Sequence, residues 1–173
     1  QGNKQKSASW YRNAVSLIAD RTSPSELFAS GKLLGKPSAG RMSMFFYDPK
    51  TKARLPYYDT FPLVLPLEPM KGGFIGLNFH YLPYGARFAF LQQLQTLASN
   101  SKFDQSTKIQ ATYDSVKSNK YVKASIKRYL YSQVRSQFLR VDVNEMALAA
   151  YLPVAQFQGA SMGSVFAKSR KTY

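Results

Sequence analysis

The sequence predicts an α+β fold in one compact domain, with a small β barrel at residues 41–82, helices before it and a helical region packed on it afterwards. Three observations carry this expectation. Short apolar runs bounded by turn signals crowd the middle of the chain. Apolar residues at helical spacing occur on both sides of them. The 173 residues are 45% hydrophobic and 14% aromatic, enough for one real core. The expected segments are an N-terminal arm with helices at 1–40, the barrel at 41–82, the helical region at 83–160 and a basic C-terminal tail at 161–173.

Gln1–Ser7 is polar and basic and reads as an arm. Behind a capping Ser7, the residues Trp10, Tyr11, Ala14, Val15, Leu17 and Ile18 recur at helical spacing, so a first helix is expected to end near Asp20. Ser23-Pro24-Ser25-Glu26 is a capping box with proline at the first helical position, opening a short helix that stops at Gly31. Lys32 to Gly40, with Gly35, Pro37 and Gly40, reads as a linker.

Met42–Tyr47, Phe61–Leu67 and Gly73–His80 are the three apolar runs. Asp48-Pro49-Lys50-Thr51 is a turn, because aspartate can bond the backbone beyond it and proline presets the next dihedral. Pro62 and Pro66 cannot donate ladder hydrogen bonds, so their run is predicted to be an edge or bulged strand. Short, twisted strands of this kind point to a small SH3-like barrel. Phe88, Leu91, Leu94 and Ala98 then mark a helix near 84–98, and another is expected over Asp104–Val116. Tyr121–Phe138 is the clearest amphipathic segment. At ~100° per residue, Val122, Ile126, Tyr129 and Leu130 share one side, opposite Lys120, Lys123, Lys127, Arg128 and Arg135. Asn144 caps a short helix through Tyr151, limited by Pro153, ahead of the basic Lys168-Ser169-Arg170-Lys171.

Charge narrows the function. The chain holds 24 Lys and Arg against 9 Asp and Glu, a formal charge of +15, and self-repulsion of that size points to a polyanionic partner, nucleic acid first. Residues 101–140 carry +7 and residues 1–41 carry +5, while 42–100 carry +2 and 141–173 carry +1. No apolar run approaches the ~18 residues that span a bilayer, and no signal-peptide pattern opens the chain, so a soluble protein with no membrane partner is expected. The absence of an initiator methionine points to processing or to a start upstream of Gln1. Zero cysteines exclude disulfides and thiol chemistry and fit a reducing cytoplasm.

The basic face of Lys120, Lys123, Lys127, Arg128 and Arg135 is the first candidate site, since cations three, four and seven residues apart on a helix can meet successive phosphates. Its plainer reading is a solvated face, yet residues 115–141 contain no acidic partner. With no base-reading motif, sequence-independent binding is expected. The second candidate is a hairpin carrying Lys50, Lys52 and Arg54, followed by Tyr57 and Tyr58, whose rings either stack on unpaired bases at a DNA end or cover the barrel mouth.

Catalysis finds little support. His80 is the only histidine and reads as a packed, hydrogen-bonded residue. Asp59, Glu68 and Lys71 invite comparison with magnesium-dependent nucleases, but Glu68-Pro69-Met70-Lys71 has one residue too many between acid and lysine. Gly72-Gly73 and Gly85 complete no phosphate loop. No enzyme activity, cofactor, metal or small-molecule substrate is predicted.

Gly40-Arg41-Met42-Ser43-Met44-Phe45-Phe46-Tyr47-Asp48-Pro49-Lys50 and Leu55-Pro56-Tyr57-Tyr58-Asp59-Thr60-Phe61-Pro62-Leu63 are followed by Gly73–Pro83 and by Val122-Lys123 through Lys127-Arg128-Tyr129-Leu130. Over residues 7–157 this order resembles the DNA end protector, or head-completion, proteins of contractile-tailed bacteriophages. The resemblance implies a virion protein, present in the host cytoplasm during assembly, that binds the ends of packaged double-stranded DNA and helps close the head. It carries over no catalytic residue. The competing expectation is a structural adaptor of the neck, portal or baseplate, because small barrels with helical additions serve both roles.

Overall fold

A computed structural model describes residues 6–17, 19, 23–99, 101–102, 104, 111, 114, 120–142 and 145–171. The arm before Lys6, most of the 104–116 segment and the Asn144 cap lie outside these residues.

The capping signals at the N-terminus act as read, although the first helix stops at Ser16, short of the expected end near Asp20. The Ser7 side chain accepts from the Trp10 amide and opens α1 (Ala8–Ser16). At α2 (Pro24–Ser30) the Glu26 amide donates to Ser23 Oγ at 3.2 Å and the Ser23 amide donates to Glu26 Oε2 at 2.7 Å, a complete capping box that ends at Gly31. The expected linker then departs from its reading. Lys32–Leu34 is a strand, β1, held by β7 (Phe138–Arg140) in register Lys32↔Arg140 and Leu34↔Phe138.

The centre is an antiparallel sheet of six strands in the order β1-β7-β2-β4-β5-β6. Its other members are β2 (Ser43–Met44), β4 (Leu63–Met70), β5 (Gly73–Asn78) and β6 (Ile126–Leu130), and a separate pair joins β3 (Tyr58–Asp59) to β8 (Phe157–Gln158). The sheet does not close into the predicted barrel. β1 and β6 are its edges, and among the described residues the strand pairing between the chain beyond β2 and the chain beyond β6 is limited to an isolated bridge, Tyr47↔Val134. β4 lies inside the sheet rather than at an edge. It tolerates its prolines through a bulge between Pro66 and Glu68, the other expectation for this run.

The largest departure is the predicted basic helix over 121–138. Only Lys120–Lys123 is helical (α4). The chain then runs as β6, a 3₁₀ turn at Tyr131–Gln133, and β7. Apolar residues at 122, 126, 129 and 130 satisfy a helical period, but β5 offers a row of unpaired backbone groups, and satisfying them decides the conformation. β6 pairs with β5 from Leu77↔Ile126 to Gly73↔Leu130. The approach depends on Gly73, where a Cβ would collide with the Tyr129 carbonyl oxygen. Alternation replaces the helical face, so Lys127 and Tyr129 point to one side while Ile126, Arg128 and Leu130 point to the other.

Both sheet faces are buried, by different chemistry. Leu63, Leu65, Leu77 and Leu139 face a core completed by Val15 of α1, Phe90 and Leu91 of α3 (Tyr84–Ser99) and Ala147 and Ala150 of α5 (Met146–Tyr151). On the opposite face Phe45 sits among Phe138, Tyr129, Phe74 and Tyr47, with ring centroids at 4.9, 5.3, 6.0 and 6.1 Å. Edge-on and tilted pairs of this kind add about 0.5–1.5 kcal/mol each beyond area burial. The last described element is α6 (Met162–Lys171), where the sequence predicts a basic tail. No helix among the described residues is long and apolar enough to cross a membrane.

Candidate nucleic-acid interface

Cations read as two separate constellations meet around one carboxylate. The predicted hairpin at Lys50–Arg54 is a turn that winds into a 3₁₀ helix, Lys52–Arg54, closed by Arg54 N–H to Thr51 O at 2.9 Å. Lys52 Nζ lies 2.8 Å from Asp48 Oδ1, and an Arg135 guanidinium nitrogen lies 3.9 Å from the other carboxylate oxygen. Backbone bonds fix the pairing, with Asp48 N–H to Gln133 O at 3.0 Å and Arg135 N–H to Phe46 O at 2.9 Å. The hydrogen bond from Lys52, reinforced by the Lys52 and Arg135 charges, holds the Asp48 carboxyl below its ordinary range, and the same hydrogen bond raises Lys52. Lys50, Lys52, Arg54 and Arg135 are all exposed. The result is an exposed basic surface with one acid that orders it, able to grip phosphate oxygens without reading bases.

The remaining cations disperse. Lys123 and Arg128 are exposed, on α4 and on the edge strand β6, while Lys127 is partly buried with its ammonium 4.2 Å from the Tyr81 ring centre. Burial pulls the Lys127 pKa down. The side chain of Lys120 lies outside the described residues. Charge on an edge strand also deters strand-to-strand aggregation, a role that Arg128 fills in any reading.

Tyr57 and Tyr58 are half-buried. Tyr57 packs at 6.0 Å on Tyr81 and at 6.4 Å on Phe157, and Lys168 Nζ stands 5.1 Å from its ring centre. Tyr58 lies on β3, close enough to Lys52 to help raise its pKa. Tyr57 therefore belongs to an aromatic module with a lysine on its ring, and Tyr58 borders the Asp48 cluster.

Beneath this surface runs a buried polar network. His80 Nδ1 lies 2.6 Å from Asp59 Oδ2, and Asp59 also accepts from Asn78 Nδ2 at 3.0 Å and from the Phe61 amide at 3.0 Å. An ionised carboxylate only accepts, so the Nδ1 proton resides on the imidazole. Burial alone would raise the Asp59 carboxyl, but the His80 charge and hydrogen bond and those from Asn78 and Phe61 outweigh it and hold the carboxyl below its ordinary value. His80 Nε2 finds no hydrogen-bond partner among the described residues. Arg87, fully buried, donates to Leu82 O at 2.6 Å, Ala150 O at 2.8 Å and His80 O at 3.0 Å. Burial lowers its pKa to about 10, which leaves it cationic at neutral pH. Asp59, the acid that invited a nuclease comparison, is committed to this network, and no group of three His, Asp or Glu side chains among the described residues converges on a metal position.

Sequence reading missed Asp48 as the organiser and Arg87 as a core residue. An acid four residues before Lys52 is a signal for the first, whereas nothing local distinguishes a buried arginine from a surface one. No curated protein and no solved structure matches the chain. The sequence profile of one family, described as phage T4 terminal DNA protecting protein, matches residues 1–172. A match over so nearly the whole of the 173 residues makes this chain a member of the phage T4 terminal DNA protecting protein family.

Proposed function

We propose that this protein binds and shields the ends of packaged double-stranded DNA in a phage particle and helps complete the head, holding the duplex through sequence-independent phosphate contacts. The observation that carries the reading is the family match across residues 1–172. The exposed cluster of Lys50, Lys52, Arg54 and Arg135 supports it, because these cations come from a turn and an adjoining segment rather than from one groove-reading helix. Lys123 and Arg128 add exposed positive charge elsewhere on the surface. No cofactor or catalytic residue enters this reading; shielding is steric occupation of the terminus. In the test, linear duplex is challenged with a processive exonuclease, with and without the protein and with closed circles as competitor. Delayed degradation that circles do not relieve is the expected result. Relief by circles at equal mass would leave a general DNA binder and overturn end protection.

A second role has its own observation. β1 is an open sheet edge whose Leu33 and Leu34 are each 37% exposed. Such an edge favours docking onto another virion protein, the adaptor role. A particle reconstruction with β1 facing solvent in every copy would remove it.

A further inference from the structure

A pocket of about 390 Å³ opens between α1 and the first turn of α3, lined by Ala8, Arg12, Val15, Tyr84, Phe88 and Tyr151, with Gly85 at the start of the helix. We propose that this pocket takes the terminal nucleotide of a DNA strand, its base on the aromatic floor and its 5′-phosphate on Arg12. The inference rests on the DNA-end reading above and names the part of the protein that distinguishes an end from internal duplex.

The size is at the lower limit of the ~300–1,000 Å³ typical of small-molecule sites, which admits one unpaired nucleotide and excludes a base pair. The floor suits a base. Tyr84 and Tyr151 lie nearly parallel, 7° apart with centroids 5.8 Å apart, and Phe88 tilts against Tyr151 at 6.3 Å. The guanidinium of buried Arg87 also stands 4.6 Å from the Tyr84 ring centre and helps fix that ring. Stacking on aromatic rings accepts any base, as a protector of unselected ends requires.

The charge suits a phosphate. Arg12 is the charged residue of the lining, and no carboxylate belongs to that lining among the described residues. Its field reaches the floor, where burial raises the Tyr151 phenol and the Arg12 and Arg87 charges pull against that rise. Neither α1 nor α3 carries an acidic residue in its first turn. A terminal 5′-phosphate is a monoester carrying close to two negative charges at neutral pH, whereas an internal phosphodiester carries one. The complementarity therefore favours the phosphorylated end over a 5′-hydroxyl end and over the continuous strand.

Gly85 supplies a clean block. A Cβ at this position meets nothing within 4 Å and Gly85 belongs to the lining, so Gly85→Phe introduces bulk at the pocket without a backbone clash at its Cβ, at a helical position where glycine itself is unfavourable. The experiment measures affinity for short duplexes with 5′-phosphate or 5′-hydroxyl ends and for closed circles. The wild-type protein is compared with Gly85→Phe, Arg12→Gln and Lys52→Gln/Arg135→Gln, with melting curves confirming the fold and deoxynucleoside monophosphate as a competitor. The wild type is expected to prefer the 5′-phosphate end by roughly 10-fold or more. Gly85→Phe and Arg12→Gln should each abolish that preference while leaving affinity for circles unchanged, and the double cluster variant should weaken all three substrates together. A wild-type ratio of one, or a ratio that survives Gly85→Phe in a folded protein, overturns the pocket while leaving end protection intact. Equal affinity for ends and circles overturns the end-binding reading itself. Displacement of the end by free monophosphate at equal concentration would identify a nucleotide site in place of a DNA-terminus site.

Discussion

Arg87→Met is expected to be among the most damaging single substitutions that leave the surface untouched. The side chain is fully buried and its guanidinium satisfies the carbonyls of Leu82, Ala150 and His80. It thereby clamps the 3₁₀ turn at Phe79–Tyr81, the start of α3 and the end of α5 to one another. Methionine fills much of the same volume, so the cost is chiefly polar. Three buried acceptors lose their donors at about 1–3 kcal/mol each, and relief from burying a cation offsets part of the sum. A net loss of about 2–4 kcal/mol follows, and for a domain of this size each kcal/mol lowers Tm by roughly 2–4 °C. Arg87→Lys keeps the charge, but one ammonium cannot meet three diverging carbonyls, so it should fall in the same range. Urea unfolding of the wild type and both variants, read by fluorescence and circular dichroism together, gives the difference from the midpoints at constant slope. A loss below about 1 kcal/mol for both variants would show that the three short hydrogen bonds do not hold these elements together.

Three further expectations follow from the geometry. Replacing Lys52 and Arg135 by glutamine should weaken duplex binding without changing sequence preference and flatten the plot of log affinity against log salt by about 0.9 for each phosphate no longer neutralised, read by anisotropy titrations. The Asp59 carboxyl is depressed on folding, so its contribution to stability is present above the unfolded value of 3.8 and is lost as pH falls through the lower folded value. Urea midpoints taken downward from pH 5 should drop in the wild type below pH 3.8, and Asp59→Asn should be less stable at pH 7 with a shallower acid slope. Gly73→Ala should cost at least about 2 kcal/mol, because the added methyl meets the backbone at Tyr129 rather than a side chain that can swing away; a melting temperature unchanged from wild type would contradict that approach.

What the sequence made legible was local. Ser7, the Ser23-Pro24-Ser25-Glu26 box and Gly31 act within a few residues of themselves, and they mark the helix ends as read. The bulge in β4 was legible because a proline inside a strand has few resolutions. What failed depended on partners distant in sequence. Lys32–Leu34 becomes a strand only because β7 lies beside it, and Ile126–Leu130 abandons a helical pattern because β5 needs pairing. The grouping of the candidate cations was hidden for the same reason. Residue type marked Lys52 and Arg135 as candidate phosphate contacts, but nothing within either segment shows that the chain pairing places both beside Asp48.

The strand at 126–130 also changes what a net charge of +15 means for binding. On a helix, Lys123, Lys127 and Arg128 would cover one face and meet one strand of phosphates together. On a β-strand, alternation sends Lys127 inward onto Tyr81 and leaves Arg128 outside, so the segment with the largest local charge delivers fewer cations to any one partner than its composition implies. The proposed phosphate grip is then one assembled from several elements. Backbone bonds hold the two segments together, and the Asp48 carboxylate offsets the repulsion between Lys52 and Arg135 across the junction of the 48–54 turn and the 131–135 segment. In the proposed reading, a single acid within the basic surface lets two cations stand side by side toward one phosphate backbone. Asp48→Asn, although it adds positive charge overall, should therefore weaken duplex binding in an anisotropy titration, and tighter binding by the variant would show that the carboxylate only repels the phosphates.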